Sequence, residues 1–356
     1  MIDEKPALLA LSVTGDCNLR CSYCYARGGE SSASMSWVTA KRAVDVMAQR
    51  FPSFKIQFTG GEPLLNLGLI ERAVDYLDEL GLRVPCQVQT NATLIIPDVA
   101  AKLKSLKIAV GVSLDGPALV NDALRPFPDG RGSTGSALKG IFALREEGIR
   151  VGATCVLSSA NAGALAGLVD LLSYLGNVEG VAMDLLRPVG RASRSMQPEA
   201  TMAAKGIEEA IKRADRIAEM GGRRIRFREI ERMKGTLCRG EKRLHHCYFD
   251  SCRSLVVLAD GRSYVCPSLL NENLGLGDIM APGFADGLLD RMAAARRLVQ
   301  APQVCRNCPD RWLCGGPCLA HYVAGLNLDI ECLAKKVFMR YARKMAEKDR
   351  RLSLST

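Results

Sequence analysis

No apolar run in this 356-residue sequence approaches the length needed to cross a bilayer. The opening, Met1 to Ala10, lacks a basic segment followed by an apolar one, so it carries no mark of a secretory signal. A cytoplasmic location is therefore expected. Low-complexity segments and internal repeats, beyond an alternation of strand-like and helix-like stretches, are also lacking. With 48% apolar residues the chain can bury a sizeable core, and its length suits one large domain plus a smaller one.

Fourteen cysteines stand out against this background. Disulfides are rare in reducing compartments, where clustered cysteines more often hold metals. Cys86 and Cys155 sit alone in apolar, strand-like surroundings and read as small core residues. Charge is also uneven. Nine Lys or Arg face three Glu between Arg223 and Arg243, and eight face Glu347 and Asp349 from Lys335 to Thr356. Each stretch is net +6 of the chain's +10, so the remainder is slightly acidic. Such runs suit an acidic partner, although solvated helix faces are the commoner cause.

Short apolar runs at Leu8–Val13, Lys55–Thr59, Arg83–Thr90, Ile108–Leu114, Arg150–Leu157 and Val178–Leu186 predict strands. Amphipathic stretches at Trp37–Arg50, Leu67–Leu80, Asp98–Leu106, Ser136–Glu147, Ala162–Leu175 and Glu199–Met220 predict helices. Six βα units in succession imply a parallel sheet with right-handed crossovers. They suit a partial (β/α)6 barrel, with a flat doubly wound sheet as the alternative. After Arg223 helical periodicity fades and cysteines become dense. Ser254–Ala259 and Arg262–Cys266, joined by Asp260-Gly261, predict a β-hairpin. Ala334 to about Arg351 predicts a basic amphipathic helix. The expected division is 1–222, 223–334 and 335–356.

Cys17, Cys21 and Cys24 follow the first strand. Three thiolates within eight residues wrap three corners of a cubane cluster and leave one iron open, as catalysis requires. A zinc knuckle lacking one ligand is the alternative. Gly60-Gly61-Glu62-Pro63, Thr90-Asn91 and Ser113-Leu114-Asp115-Gly116 end strands two to four. Polar residues at the carboxyl ends of parallel strands mark a ligand face. Eight further cysteines lie at Cys247, Cys252, Cys266, Cys305, Cys308, Cys314, Cys318 and Cys332, a spacing that on its own also suits two zinc sites. Cys238 is left over and reads as inert or structural.

Together these motifs resemble the radical S-adenosylmethionine superfamily, whose cluster loop has the form C-x3-C-x2-C with an aromatic residue, here Tyr23, before the third cysteine. The resemblance implies that the open iron chelates S-adenosylmethionine. Tyr23 would lie near the adenine, and Gly60, Gly61 and Glu62 would hold the methionine amino group. Ser113 and Arg125 would meet the ribose and carboxylate, with Thr90 and Asn91 lining the pocket. Glycine at 261, five residues before Cys266, and the eight later cysteines resemble the SPASM extension. By that pattern Cys247, Cys252, Cys266 and Cys318 would hold one auxiliary [4Fe–4S] cluster, and Cys305, Cys308, Cys314 and Cys332 another, giving three clusters in all.

The pattern from Leu8 to Cys332 is similar to that of anaerobic sulfatase-maturating enzymes and related peptide maturases. It departs at Pro267, where sulfatase maturases carry an aspartate base, and at Asn121, where the family has histidine. With the cluster loop beginning at Cys17, no leader-binding domain is expected before it. The expectation is an oxidative peptide- or protein-modifying enzyme, served by a reductant such as flavodoxin or ferredoxin. A radical tetrapyrrole decarboxylase and a cluster-bearing RNA-binding or RNA-modifying protein are the alternatives.

Overall fold

The computed structural model describes residues 6–354, with side chains to Arg351, so the outermost residues of the expected terminal segments, 1–5 and 355–356, lie outside it. Six strands, β1 (Ala7–Thr14), β2 (Phe54–Gly60), β3 (Cys86–Thr90), β4 (Ala109–Ser113), β5 (Val151–Leu157) and β6 (Val178–Leu185), are parallel neighbours in chain order. Helices α1 (Trp37–Arg50), α2 (Leu67–Glu79), α3 (Pro97–Ser105), α4 (Ala118–Leu124), α5 (Thr134–Glu146), α6 (Leu165–Leu175) and α7 (Ala200–Glu219) fill the connections. This is the partial (β/α)6 barrel expected, left open at its edges. Helix ends follow local chemistry. The Ser36 hydroxyl accepts from the Thr39 N–H to start α1, and Gly176 at φ +78° closes α6 in the left-handed region.

β7 (Arg226–Phe227) adds to β6, and α8 (Arg228–Arg239) follows it. The sequence expectation of fading helical periodicity after Arg223 is corrected here. Helix α8 buries Ile230 and Met233, yet its dense charge masks that stripe. The hairpin β8 (Ser254–Val257) and β9 (Arg262–Tyr264), extended by β10 (Gly275–Asp278), does not stand apart from the barrel. β8 pairs in parallel with β1, from Leu8↔Ser254 to Leu11↔Val257, so the described residues form one ten-stranded sheet. Helix α9 (Leu288–Leu298) precedes a cysteine-rich stretch of short helices: α10 (Gln303–Arg306), α11 (Arg311–Cys314) and α12 (Leu319–Val323). The chain ends in α13 (Leu328–Leu354), longer at both ends than expected and packed on α7 and α8. No helix is long and apolar enough to cross a membrane among the described residues.

The core is continuous from the barrel into the cysteine-rich part. Leu9, Leu11 and Val257 are fully buried at the junction, and Leu313 and Phe338 belong to the same apolar cluster. At the far side, Asn161 ties the ends of β4 and β5. Its amide donates to Asp115 O and Val156 O, each at 2.9 Å, and its carbonyl accepts from Ser158 N at 2.8 Å. Asn161→Ala removes these partners and leaves Asp115 O only the weak thiol contact of Cys155 (3.8 Å), at a cost of roughly 2–4 kcal/mol. Denaturant unfolding should show a clearly lower midpoint; an unchanged midpoint would contradict this role.

Candidate active site

The loop between β1 and α1 carries Cys17, Cys21 and Cys24 and is held by charge-assisted hydrogen bonds to its backbone. Arg20 donates to Cys17 O (2.7 Å), Leu19 O (3.0 Å) and Gly29 O (3.0 Å). Arg191, from the segment after β6, donates to Cys21 O (2.9 Å) and Gly28 O (3.2 Å) and pairs with Glu30 (3.0 Å). Arg191 went unremarked in the sequence. The rule that polar residues gather at strand ends would have found it, because Pro188-Val189-Gly190-Arg191 leaves the end of the sixth strand.

The turn after β2 lies against this loop. Gly61 N donates to Thr14 O, and Glu62 N to Asp16 O, both at 2.8 Å. A Cβ on Gly61 would stand 1.9 Å from Asp16 O, so only glycine allows the approach. Glu62 is buried. It accepts from Thr90 Oγ1 (2.6 Å), Asn91 N (2.8 Å) and Leu64 N (3.2 Å). Burial raises its carboxyl above the usual range despite these donors. Asn91 reaches Asn18 in the cysteine loop (2.9 Å), so β3 also braces the site. Ser113 accepts from Gln89 Nε2 (3.1 Å).

Tyr23 and Arg125 meet each other. Arg125 Nη1 donates to Tyr23 Oη (2.6 Å), Tyr23 Oη donates to Asp115, and Arg125 stands 3.5 Å from the Asp115 carboxylate. Asp115 also accepts from Val156 N (2.7 Å). This buried triad lies close to the Cys21 thiol. Burial raises the Cys21 thiol, and the Arg125 charge opposes that rise.

The later cysteines fall into two neighbourhoods. Cys247, Cys266 and Cys318 sense one another's charge. Cys305 and Cys332 sense each other and Cys314, and Cys308 acts on Cys332. Cys252 stands aside. Its backbone is in the left-handed region at φ +54°, its thiol is directed at Met292 O (3.9 Å), and its charged neighbours are Arg296, Asp250 and Arg297. Among the described residues, no three His, Cys, Asp or Glu side chains close on a single ion. A cubane places its corners farther apart than one ion places its ligands.

A buried polar network, missed in the sequence, joins the two neighbourhoods to the barrel. Glu331 accepts from Cys318 N (2.8 Å), pairs with Lys335 (2.6 Å) and meets His321 Nδ1 (3.2 Å). Lys335 continues to Gly316 O (2.6 Å) and His246 Nδ1 (3.2 Å). Beyond His321 lies Asp184, at 3.7 Å, clasped by Arg187 at 2.9 and 3.0 Å. Burial disfavours a Cys318 thiolate, yet the charge of His321, with His246 and Arg187 nearby, holds it well below the ordinary thiol range.

With this geometry in view, residues 11–172 match the radical SAM superfamily. The chain belongs to that superfamily. An uncharacterized protein of Methanocaldococcus jannaschii is 36% identical over 271 residues, covering 76% of this chain and 87% of the relative. Fe-coproporphyrin III synthase of Methanosarcina barkeri is 32% identical over 224 residues, 62% of this chain and 54% of its own length, so the chain spans about half of that relative. Mycofactocin maturase MftC of Mycobacterium tuberculosis is 26% identical over 338 residues, 92% of this chain and 82% of the maturase. A solved structure of native anSMEcpe with bound AdoMet and Kp18Cys peptide superposes with a TM-score of 0.80 at 20% identity, covering 97% and 99% of the two chains, and shows the same fold.

As a radical SAM enzyme, the protein uses a [4Fe–4S] cluster and S-adenosylmethionine. The first loop fits such a group. Its thiols act on one another, Leu19 N and Gly28 N each point at a sulfur (3.4 Å), and Arg125 and Arg191 bring positive charge toward Cys21. Burial pushes the thiols of Cys17 and Cys247 up to about 11 and that of Cys266 to about 12. Without metal these three are protonated at neutral pH, and iron binding must displace their protons. Loading of metal-free protein should therefore release protons and strengthen as pH rises; a pH-independent loading equilibrium would refute this. Arg191→Ala should loosen the first loop by roughly 1.5–3 kcal/mol, read as faster iron loss on chelator challenge with an unchanged far-UV spectrum. Iron retention equal to the parent protein would contradict the clamp.

Proposed function

We propose that this radical SAM enzyme modifies a peptide or protein substrate and carries three [4Fe–4S] clusters. The carrying observation is the extent of the MftC match. It runs through the barrel and the cysteine-rich part alike, over 92% of this chain. The likeness in fold to anSMEcpe, solved with a bound peptide, lends support.

On this reading Cys17, Cys21 and Cys24 hold the first cluster. When bound, the cluster and S-adenosylmethionine supply a 5′-deoxyadenosyl radical that abstracts hydrogen from the substrate. The protein's task is to position and shield. Glu62, fixed by Thr90, Asn91 and Leu64, presents a buried carboxylate to the methionine ammonium. Gly60 and Gly61 let the turn that carries Glu62 lie against the cysteine loop, beside which the ligand would bind. Ser113 sits at the neighbouring strand end. Tyr23 and Arg125, whose polar groups are engaged with each other and with Asp115, serve the ligand by shaping and charging the floor beneath it. Cys247, Cys266 and Cys318 would hold the first auxiliary cluster, with Cys252 assigned to it on sequence pattern. Cys305, Cys308, Cys314 and Cys332 would hold the second. The chain would divide at 222/223 and 334/335, with β8–β10 extending the barrel sheet across the first boundary.

Ser12, Thr59 and Gly60 of the barrel, Tyr25 and Ala26 of the loop, and Pro267 and Leu270 after the hairpin line one small cavity of about 20 Å³. Proline supplies no general base there. A sulfatase-type cysteine or serine peptide, incubated with reduced enzyme and S-adenosylmethionine, should yield no formylglycine by mass spectrometry. Robust aldehyde formation would overturn the inference from Pro267.

The 32% identity to Fe-coproporphyrin III synthase favours a second reading, action on a tetrapyrrole, although that match covers only 62% of this chain. Parallel incubations decide between them. Reduced enzyme is supplied with S-adenosylmethionine and either short peptides encoded beside its gene or an iron porphyrin bearing propionates. The proposal expects a mass change in a peptide, and loss of carboxyl groups from the porphyrin alone would replace it. Glu62→Gln should weaken S-adenosylmethionine binding by about 10–100-fold, since a charge-assisted hydrogen bond is worth roughly 1.5–3 kcal/mol. Unaltered affinity in equilibrium dialysis would remove Glu62 from the ligand site.

A further inference from the structure

The two basic stretches of the sequence lie about a hundred residues apart, yet the fold packs them together. Helix α8 lies along α13, Lys234 pairs with Asp349 (2.6 Å), and Arg350 donates to Leu237 O (3.2 Å). The short helix α11, which ends at Cys314, touches both. Arg243 pins the end of the first basic stretch to it, through Arg243 N to Trp312 O (2.7 Å) and Nη1 to Cys314 O (2.9 Å).

On α13, Cys332 and Lys336 stand one turn apart, and Lys336, Arg343 and Arg350 recur every seven residues on one face. Cys332, Lys336, Arg343 and Lys344 are all exposed. Arg343 reaches Asp310 in the cysteine loop (2.7 Å), and Arg350 helps line a cleft of about 390 Å³ with Leu237, Lys242 and Trp312. Beside the thiols the surface turns apolar: Val304 is 70% and Trp312 37% exposed. Arg306 is exposed next to Cys305.

We propose that the α8–α13 face, centred on Cys305, Cys332, Val304 and Trp312, is a docking surface for a small acidic one-electron carrier protein. This rests on the assignment of the second auxiliary cluster above. Three observations select this partner. Positive charge surrounds a small apolar centre, as a transient complex with an acidic protein requires. Cys332 and its neighbours bring the iron they would hold to this face, so a docked carrier approaches it closely. Several basic groups are already neutralised by Asp310, Asp349 and Glu241, which breaks the continuous positive track that a nucleic-acid backbone needs, whereas the remaining exposed lysines suffice for the few charge contacts of a small acidic protein. Cys305, Cys308, Cys314 and Cys332 would hold the iron that accepts the one electron given up by the reduced carrier, an exchange in which no bond is made or broken.

The test uses the full, iron-loaded chain and an acidic flavodoxin as probe. Lys344 and Lys348 are exposed and have no ion-pair partner among the described residues, so Lys344→Glu with Lys348→Glu changes charge without breaking a contact in the fold. Calorimetric affinity for the flavodoxin should fall about ten-fold or more at low salt, and the salt dependence of the parent complex should flatten. Cleavage of S-adenosylmethionine driven by dithionite should stay as in the parent. Equal flavodoxin affinity in parent and variant overturns the proposal, as does tight, salt-sensitive binding of RNA by a parent that ignores flavodoxin. Failure of the cluster assignment is read separately, as iron content unchanged when Cys305 and Cys308 are replaced by Ala.

Discussion

Strand β1 is hydrogen-bonded on both sides, and the organisation of the site depends on that pairing. Its pairing with β2 brings the Gly60–Glu62 turn against the cysteine loop that leaves β1, so that backbone carbonyls of Thr14 and Asp16 receive the N–H groups of Gly61 and Glu62. Its pairing with β8 brings the cysteine-rich segment alongside the same strand. The strand is buried almost throughout, as a strand covered on both faces must be. A slip of one residue in either register would turn its side chains to the opposite face and separate the groups that the loop gathers.

Around this strand the protein buries charge rather than avoiding it. Tyr23, Asp115 and Arg125 satisfy one another close to the Cys21 thiol, and Glu331, Lys335, His321, Asp184 and Arg187 form a chain between the later cysteines and β6. Burial opposes the charge on Asp184 and Glu331, yet Arg187 in one case and Lys335 in the other, with His321 beside both, hold each well below the usual carboxylate range. Buried networks of this kind are costly unless nearly every member is paired. The exceptions lie in the chain beside Cys318: Arg187 Nε and His321 Nε2 have no hydrogen-bond partner among the described residues.

Much of this was legible in the sequence because local chemistry and tertiary role agree there. The barrel strands and helices follow from periodicity, and helix α1 has the expected limits of Trp37 and Arg50. The cysteine loop and the Gly-Gly-Glu turn are contiguous, so spacing reveals them. What spacing cannot reveal is pairing across distance. The junction of β8 with β1 depends on residues some 245 apart in the chain. Arg191 acts on carbonyls of a loop more than 160 residues earlier. Helix α8 was hidden by its charge, and only the packing of α13 shows which of its faces is covered. The departure of Cys252 from the other thiols is likewise a matter of backbone conformation, which cysteine spacing does not encode.

The proposed assignment places eleven thiols in three sites, Cys252 among them on sequence pattern alone. Iron and sulfide analysis of anaerobically reconstituted protein, with Mössbauer spectroscopy to establish cluster type, tests this most directly. Three [4Fe–4S] clusters require about twelve iron per chain, falling to about eight when Cys17, Cys21 and Cys24 are replaced together by Ala. About four iron in the parent protein, or stoichiometric zinc with little iron, would contradict the account.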